Sequence, residues 1–176
     1  LKTKIIKYRK VNNEHYEYIL EKTPFYAESG GQVGDKGKIS NDFFELNIVD
    51  TVKVNNDIVH ISEDFNKKLV KNNEVQCSVQ SDDRKMTMAN HTATHLLHSA
   101  LKIVLGKHVQ QAGSLVGPER LRFDLTHYEK ISENEIDQIE KIVNNKIQEN
   151  IKLDVSTMKF DDAKNSGAIA MFDEKY

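Results

Sequence analysis

The periodicity of the chain changes at Ser81. Before that point no stretch keeps helical spacing for long, whereas residues 81–105 keep it for about seven turns. A chain that switches in this way suits neither a simple bundle nor a simple sandwich. It requires a β-rich part followed by helices laid on strands, an α+β organisation with expected boundaries at 1–80 and 81–176.

In the first part, residues 14–20 (EHYEYIL), 43–52 (FFELNIVDTV) and 74–79 (EVQCSV) carry β-branched and aromatic residues in partial alternation. Gly, Asn and Asp interrupt them at close intervals. Short strands spaced in this way point to a small barrel or open sheet. Gly30, Gly31, Gly34 and Gly37 fall in the one long loop-like stretch, and Asn72 with Asn73 marks a turn. In the second part Ser81 is the expected N-cap of the long helix and Gly106 its stop. Strands are expected at 109–116, 121–125 and 151–160. A second helix over about 133–149 opens on a Ser132/Glu135 capping box, with Ile136, Ile139, Val143 and Ile147 on its buried face. A short helix is expected after Asp161. The second part therefore reads as helices on a mostly antiparallel sheet.

Composition narrows the partners. No apolar run approaches the ~18 residues of a membrane span, so no membrane is expected. One cysteine, Cys77, excludes an internal disulfide framework and fits a reducing, cytoplasmic setting. It lies in an alternating stretch and reads as a buried strand residue. The net charge of −2 does not by itself suggest nucleic acid, whose binding needs local positive charge. Lys2, Lys4, Lys7, Arg9 and Lys10 cluster at the start, and Lys102, Lys107, Arg120 and Arg122 flank the motifs below. Most of these read as solvated surface lysines.

On the long helix Met86, Ala89, Ala93, Leu96, Leu97, Ala100 and Val104 share an arc roughly 100° wide, the expected core face. His91, His95 and His98 fall on the opposite side, with Thr87 and Thr94 at its edge. Histidines four apart can reach one ion, the H-x-x-x-H spacing of metal sites. The same spacing also occurs where histidines simply face water. Crowding of three histidines into eight residues, small residues between the first two and few Lys or Glu on that face favour a ligand. Two histidines do not complete a zinc site, and by spacing alone His98 is a possible third ligand. His15, His60, His108 and His127 show no informative spacing.

The order NHTATHLLHSALKIVLGKHVQQAGSLV, followed by RLRFDLTHYEK, resembles the editing region of alanyl-tRNA synthetases and their free-standing trans-editing relatives. The earlier TPFYAESGGQVGDKG is similar to the glycine motif that precedes that region, and the resemblance covers essentially the whole chain. The editing module of threonyl-tRNA synthetase shares an H-x-x-x-H, but this glycine motif is not expected there. The resemblance implies zinc ligation by His91 and His95 and a pocket containing Thr94 and Gln111. It places Gly30, Gly31 and Gln32 in a loop beside the cleft, with Arg122 assigned to substrate binding. It argues against His98 as a ligand. It also implies a Cys-x-x-x-His further along, in a Cys-Gly-Gly-Thr-His context, which this sequence does not reach before Tyr176. The expectation is a fragment of the synthetase with half its metal site, without the ATP-dependent aminoacylation core, and poorly active by itself. The remainder of the synthetase would be a partner.

The implied reaction is hydrolysis of serine or glycine wrongly esterified to the acceptor end of tRNA(Ala). A pocket sized for alanine rejects such small neighbours weakly, which makes a second, hydrolytic test necessary. A trans-editing hydrolase and a non-catalytic RNA-binding module of the same fold are the alternatives. The former should carry its own Cys-x-x-x-His. No Ser-His-Asp or Cys-His order stands out, which disfavours covalent catalysis.

Overall fold

A computed structural model describes residues 1–12, 15–65 and 73–166, with the backbone only at 160, 163 and 164. The first part forms six strands: β1 (Lys2–Lys10), β2 (Tyr16–Leu20), β3 (Gly37–Ser40), β4 (Glu45–Val54), β5 (Asp57–Ser62) and β6 (Glu74–Val79). They close into an antiparallel barrel in the order β1-β2-β5-β4-β3-β6, which leaves no free sheet edge. Alternation fills its interior with Ile5, Tyr18, Leu20, Ile39, Leu46, Ile48, Val75 and Cys77. Cys77 is buried there as expected, and burial pushes its thiol up to about 11. Glu14 and Asn72, part of an expected strand and turn, lie outside the described residues.

The second part comprises α1 (Ser81–Leu105), the hairpin β7 (Gln110–Val116) and β8 (Leu121–Thr126), α2 (Glu133–Gln148) and α3 (Phe160–Asn165). The α+β architecture, barrel first and helices on a hairpin second, agrees with the sequence. α1 packs against α2, β7 and β8 around Ala100, Leu101, Val109 and Ile139. Ser132 and Glu135 form the expected capping box. On α2 the buried face centres on Ile139, Ile142 and Val143, while Ile136 and Ile147 are exposed. Gly106 ends α1 with a φ of +113°, a conformation that favours glycine, and its N–H donates to Lys102.

Beyond the exposure of Ile136 and Ile147, three expectations are corrected. Ser81 is the first helical residue and not the cap. Gln80 holds the cap position with no side-chain bond to the helix, and its backbone N–H donates to the Lys36 carbonyl as the chain leaves β6. Residues 151–159 form no strand, although Ile151, Leu153 and Val155 alternate. All are exposed, and no neighbouring strand among the described residues is there to pair with them. The buried side of α1 also differs from the expected arc. Leu97, Ala100 and Val104 join the core, but Met86 and Ala89 are exposed, and Thr87, Thr94 and His98 are buried instead. The apolar core contacts of α1 centre on its later turns. The earlier turns lie against backbone, where polar side chains find partners: Asn90 Nδ2 donates to the Gly117 and Pro118 carbonyls at 2.7 and 3.2 Å.

Candidate active site

Barrel and helix meet through the glycine motif. Asp35 is buried and accepts the Tyr26 N–H, while Arg84 on α1 donates to both its carboxylate oxygens and to the Pro24 carbonyl at 3.0 Å. This charge-assisted clamp fixes the loop before the site begins. Four residues upstream, Gly30 and Gly31 both have positive φ. A Cβ on Gly31 would lie 2.6 Å from the Ser114 carbonyl oxygen, so only glycine lets the loop approach β7 this closely. Val116 N–H donates to the Gly31 carbonyl at 2.8 Å, and Val33 N–H to the Val116 carbonyl at 3.0 Å.

Gln32, held between those two bonds, is buried, and its Oε1 lies 2.7 Å from Nδ1 of His91. An amide oxygen can only accept, so His91 donates from Nδ1, and Nε2 is the nitrogen left to bind a ligand. One turn along, the His95 ring stands 5.1 Å from that of His91, centre to centre. His95 is exposed as a residue, yet partial burial of its ring, and then the neighbouring His91, lower its pKa and favour the neutral form. Two imidazoles one turn apart, one with its Nδ1 engaged by a buried amide, are the donor chemistry that two corners of a zinc site would need, with the outer-shell support such ligands customarily have. Among the described residues no group of three or more His, Cys, Asp or Glu could hold a metal, so the residues present fit half of one.

His98 does not join them. Its ring is buried 5.2 Å from that of Phe123 and bonded to the Val109 backbone, and Nε2 is shut away from solvent without a hydrogen-bond partner. A third-ligand role by spacing alone has no geometric support. Cys77 is sealed in the barrel. Thr94 is buried between the two histidine turns, and its hydroxyl donates to the Asn90 carbonyl at 2.8 Å, leaving only acceptor capacity. Gln111, half-buried on β7, pairs with Leu125, whose side chain packs toward α1; cross-strand partners share a face, so Gln111 lies on the helix side. Arg122 alternates with Phe123 and so lies on the other face, paired with Asp124 at 3.0 Å and well exposed. The structure thus brings Gly31 and Gln32 to His91, with His95 one turn along and Thr94 beside it in the chain, and sets Arg122 apart.

The bond from Gln32 to His91 was not legible in the sequence, although both residues had been singled out. The pairing of His108 with His127 was missed altogether. Their Nε2 and Nδ1 atoms stand 2.9 Å apart across the base of the hairpin.

Comparison with known proteins relates the chain to tRNA synthetases. Residues 2–83 match the family of class II (A) tRNA synthetases. Alanine–tRNA ligase of Cytophaga hutchinsonii is 47% identical over 99% of this chain, that of Petrotoga mobilis 47% over 93%, and that of Staphylococcus epidermidis 46% over 90%. The chain spans 20%, 19% and 18% of the length of these three relatives. The chain is therefore homologous, over nearly its whole length, to a segment making up about a fifth of alanine–tRNA ligase.

Proposed function

We propose that this chain carries most of an editing site that hydrolyses serine or glycine wrongly esterified to tRNA(Ala). The observation that carries the reading is the Gln32–His91–His95 arrangement beside buried Thr94. Gln32 occupies Nδ1 of His91 and so leaves Nε2 to ligate, with the His95 ring 5.1 Å away, centre to centre, as its neighbour. Zinc bound there, completed by a Cys-x-x-x-His segment, would supply Lewis acidity for an ester carbonyl or an attacking water.

The chain's own residues supply recognition. The proton of Thr94 is committed to Asn90, so its oxygen can accept from a serine hydroxyl and has nothing to offer an alanine methyl. Gln111 can orient water or the terminal adenosine but cannot take a proton near neutral pH. The hydrolysis breaks the ester bond between the amino-acid carbonyl and the ribose oxygen, with water giving its oxygen to the acid and a proton to the ribose.

The test is deacylation of Ser-tRNA(Ala) by the chain alone and by the chain extended through a Cys-x-x-x-His segment. Slow hydrolysis by the short form and restoration by the long one are expected. Equal rates would remove zinc from the mechanism, and no hydrolysis by either would remove the function.

A further inference from the structure

An open groove of about 720 Å³ runs from His95 along α1 to its end, lined by His95, Ser99, Lys102, Ile103, Gly106 and Lys107, with buried His98 behind them. From His95 to Lys102 is about 10 Å at 1.5 Å per residue. Among the described residues no acidic side chain lines it, although the chain as a whole carries a net charge of −2. Lys102 also complements the carboxyl end of the helix, but Lys107 lies beyond that end. At the far end a Cβ on Gly106 would lie 3.0 Å from His108 Nδ1, so the His108 ring lies against the residue that closes the lining and just beyond it.

That ring belongs to a small aromatic ledge. His108 lies 5.2 Å from His127 at an interplanar angle of 21° and 4.7 Å from Tyr128 at 31°, centre to centre. His127 and Tyr128 are 5.2 Å apart. The 2.9 Å contact between His108 Nε2 and His127 Nδ1 ties the ledge across the hairpin. Core packing does not account for it, because Tyr128 is 77% exposed. Cationic side chains followed by accessible ring faces match the chemistry of single-stranded RNA, whose phosphates seek cations and whose unpaired bases stack.

We infer that this groove and ledge bind the unpaired 3′ end of the RNA whose terminal ester is presented to His91 and His95. Lys102 and Lys107 face its phosphates, and the outer face of Tyr128 takes a base. The direction of the strand rests on the proposed editing function; the binding itself does not.

The test uses uncharged RNA, which carries no ester. The probe is a fluorescent hairpin with four unpaired nucleotides at its 3′ end, compared with the same hairpin made blunt, over a salt series. The overhang form is expected to bind more tightly. Replacing both lysines (Lys102→Gln with Lys107→Gln) should flatten the log K against log salt slope by about 1.4, at about 0.7 per phosphate contact, and arginine at both positions should preserve it. Tyr128→Ala should weaken binding roughly five- to hundredfold, and Tyr128→Phe should not. Equal binding of overhang and blunt RNA overturns the inference, as does unchanged binding by the alanine and glutamine variants. Binding as expected, with no deacylation even by the chain extended through a Cys-x-x-x-His segment, would sink the editing reading and leave this one standing.

Discussion

Gln32 and His91, 59 residues apart, are joined by a 2.7 Å hydrogen bond that carries the glycine loop of the barrel into the histidine face of α1. The bond sets which nitrogen of His91 is available. Gln32→Leu should therefore weaken zinc binding by about 10- to 100-fold in the chain extended through a Cys-x-x-x-His segment. Competition with a chelator of known affinity measures this. Unchanged affinity would make Gln32 a packing residue.

The 176-residue chain itself offers His91 and His95 with no third ligand among the described residues. Zinc should be held weakly and stripped by mild chelation. Elemental analysis after dialysis against a chelator checks it; one retained ion per chain would contradict the half-site.

Arg84 and Asp35 weld α1 to the glycine motif, with the Asp35 side chain 7% exposed and that of Arg84 31%. Arg84→Met leaves a buried carboxylate without its cation. The cost should be on the order of 2–3 kcal/mol, below the 3–5 of fully buried pairs because water reaches Arg84. Adding Asp35→Asn should recover part of that loss, giving a double variant less destabilised than the sum of the two. Urea unfolding of the four proteins decides it.

His60 is fully buried in the barrel between the Tyr18 carbonyl and Thr23, and burial lowers its pKa from 6.5. Below that value the unfolded chain takes up the proton and the folded chain resists it. Stability should be full above pH 6.5 and should fall as pH drops toward the lowered folded value. His95 and His98, also lowered, add to the trend. Urea midpoints between about pH 7.5 and 5.5 read it, and His60→Gln should flatten the slope. A pH-independent midpoint would contradict the burial of a neutral His60.

What the sequence disclosed was mostly local. Gly106 as a stop and Ser132 with Glu135 as a capping box depend on residues a turn apart, and both are found. β1, β3 and β5 went unseen. β1 carries five Lys and Arg residues that read as a surface cluster, β3 is four residues long behind a glycine-rich loop, and β5 is split from β4 only by Asn55 and Asn56. The buried side of α1 was misjudged because apolar periodicity is blind to partners made of backbone, such as the carbonyls that Asn90 grips. Residues 151–159 alternate like a strand, but alternation says nothing about whether an edge exists to pair with. The candidate site was legible as His91, His95 and Thr94 because they share one helix. Their tie to Gln32, and the His108–His127 pair, depend on tertiary approach.

The central claim is that Thr94, beside His91 and His95, reads a serine hydroxyl on an ester presented for hydrolysis. The direct measurement is the rate of deacylation of Ser-tRNA(Ala) and Ala-tRNA(Ala), side by side, by the chain extended through a Cys-x-x-x-His segment, with and without Thr94→Val. Valine keeps the shape and removes the acceptor; the Asn90 carbonyl retains its helical backbone bond. Loss of about 1–3 kcal/mol in the serine transition state should lower kcat/KM for Ser-tRNA(Ala) from several-fold to about a hundredfold. Hydrolysis of Ala-tRNA(Ala) should change much less. An unchanged ratio of the two rates, or no hydrolysis of either ester by the unsubstituted protein, would contradict the account.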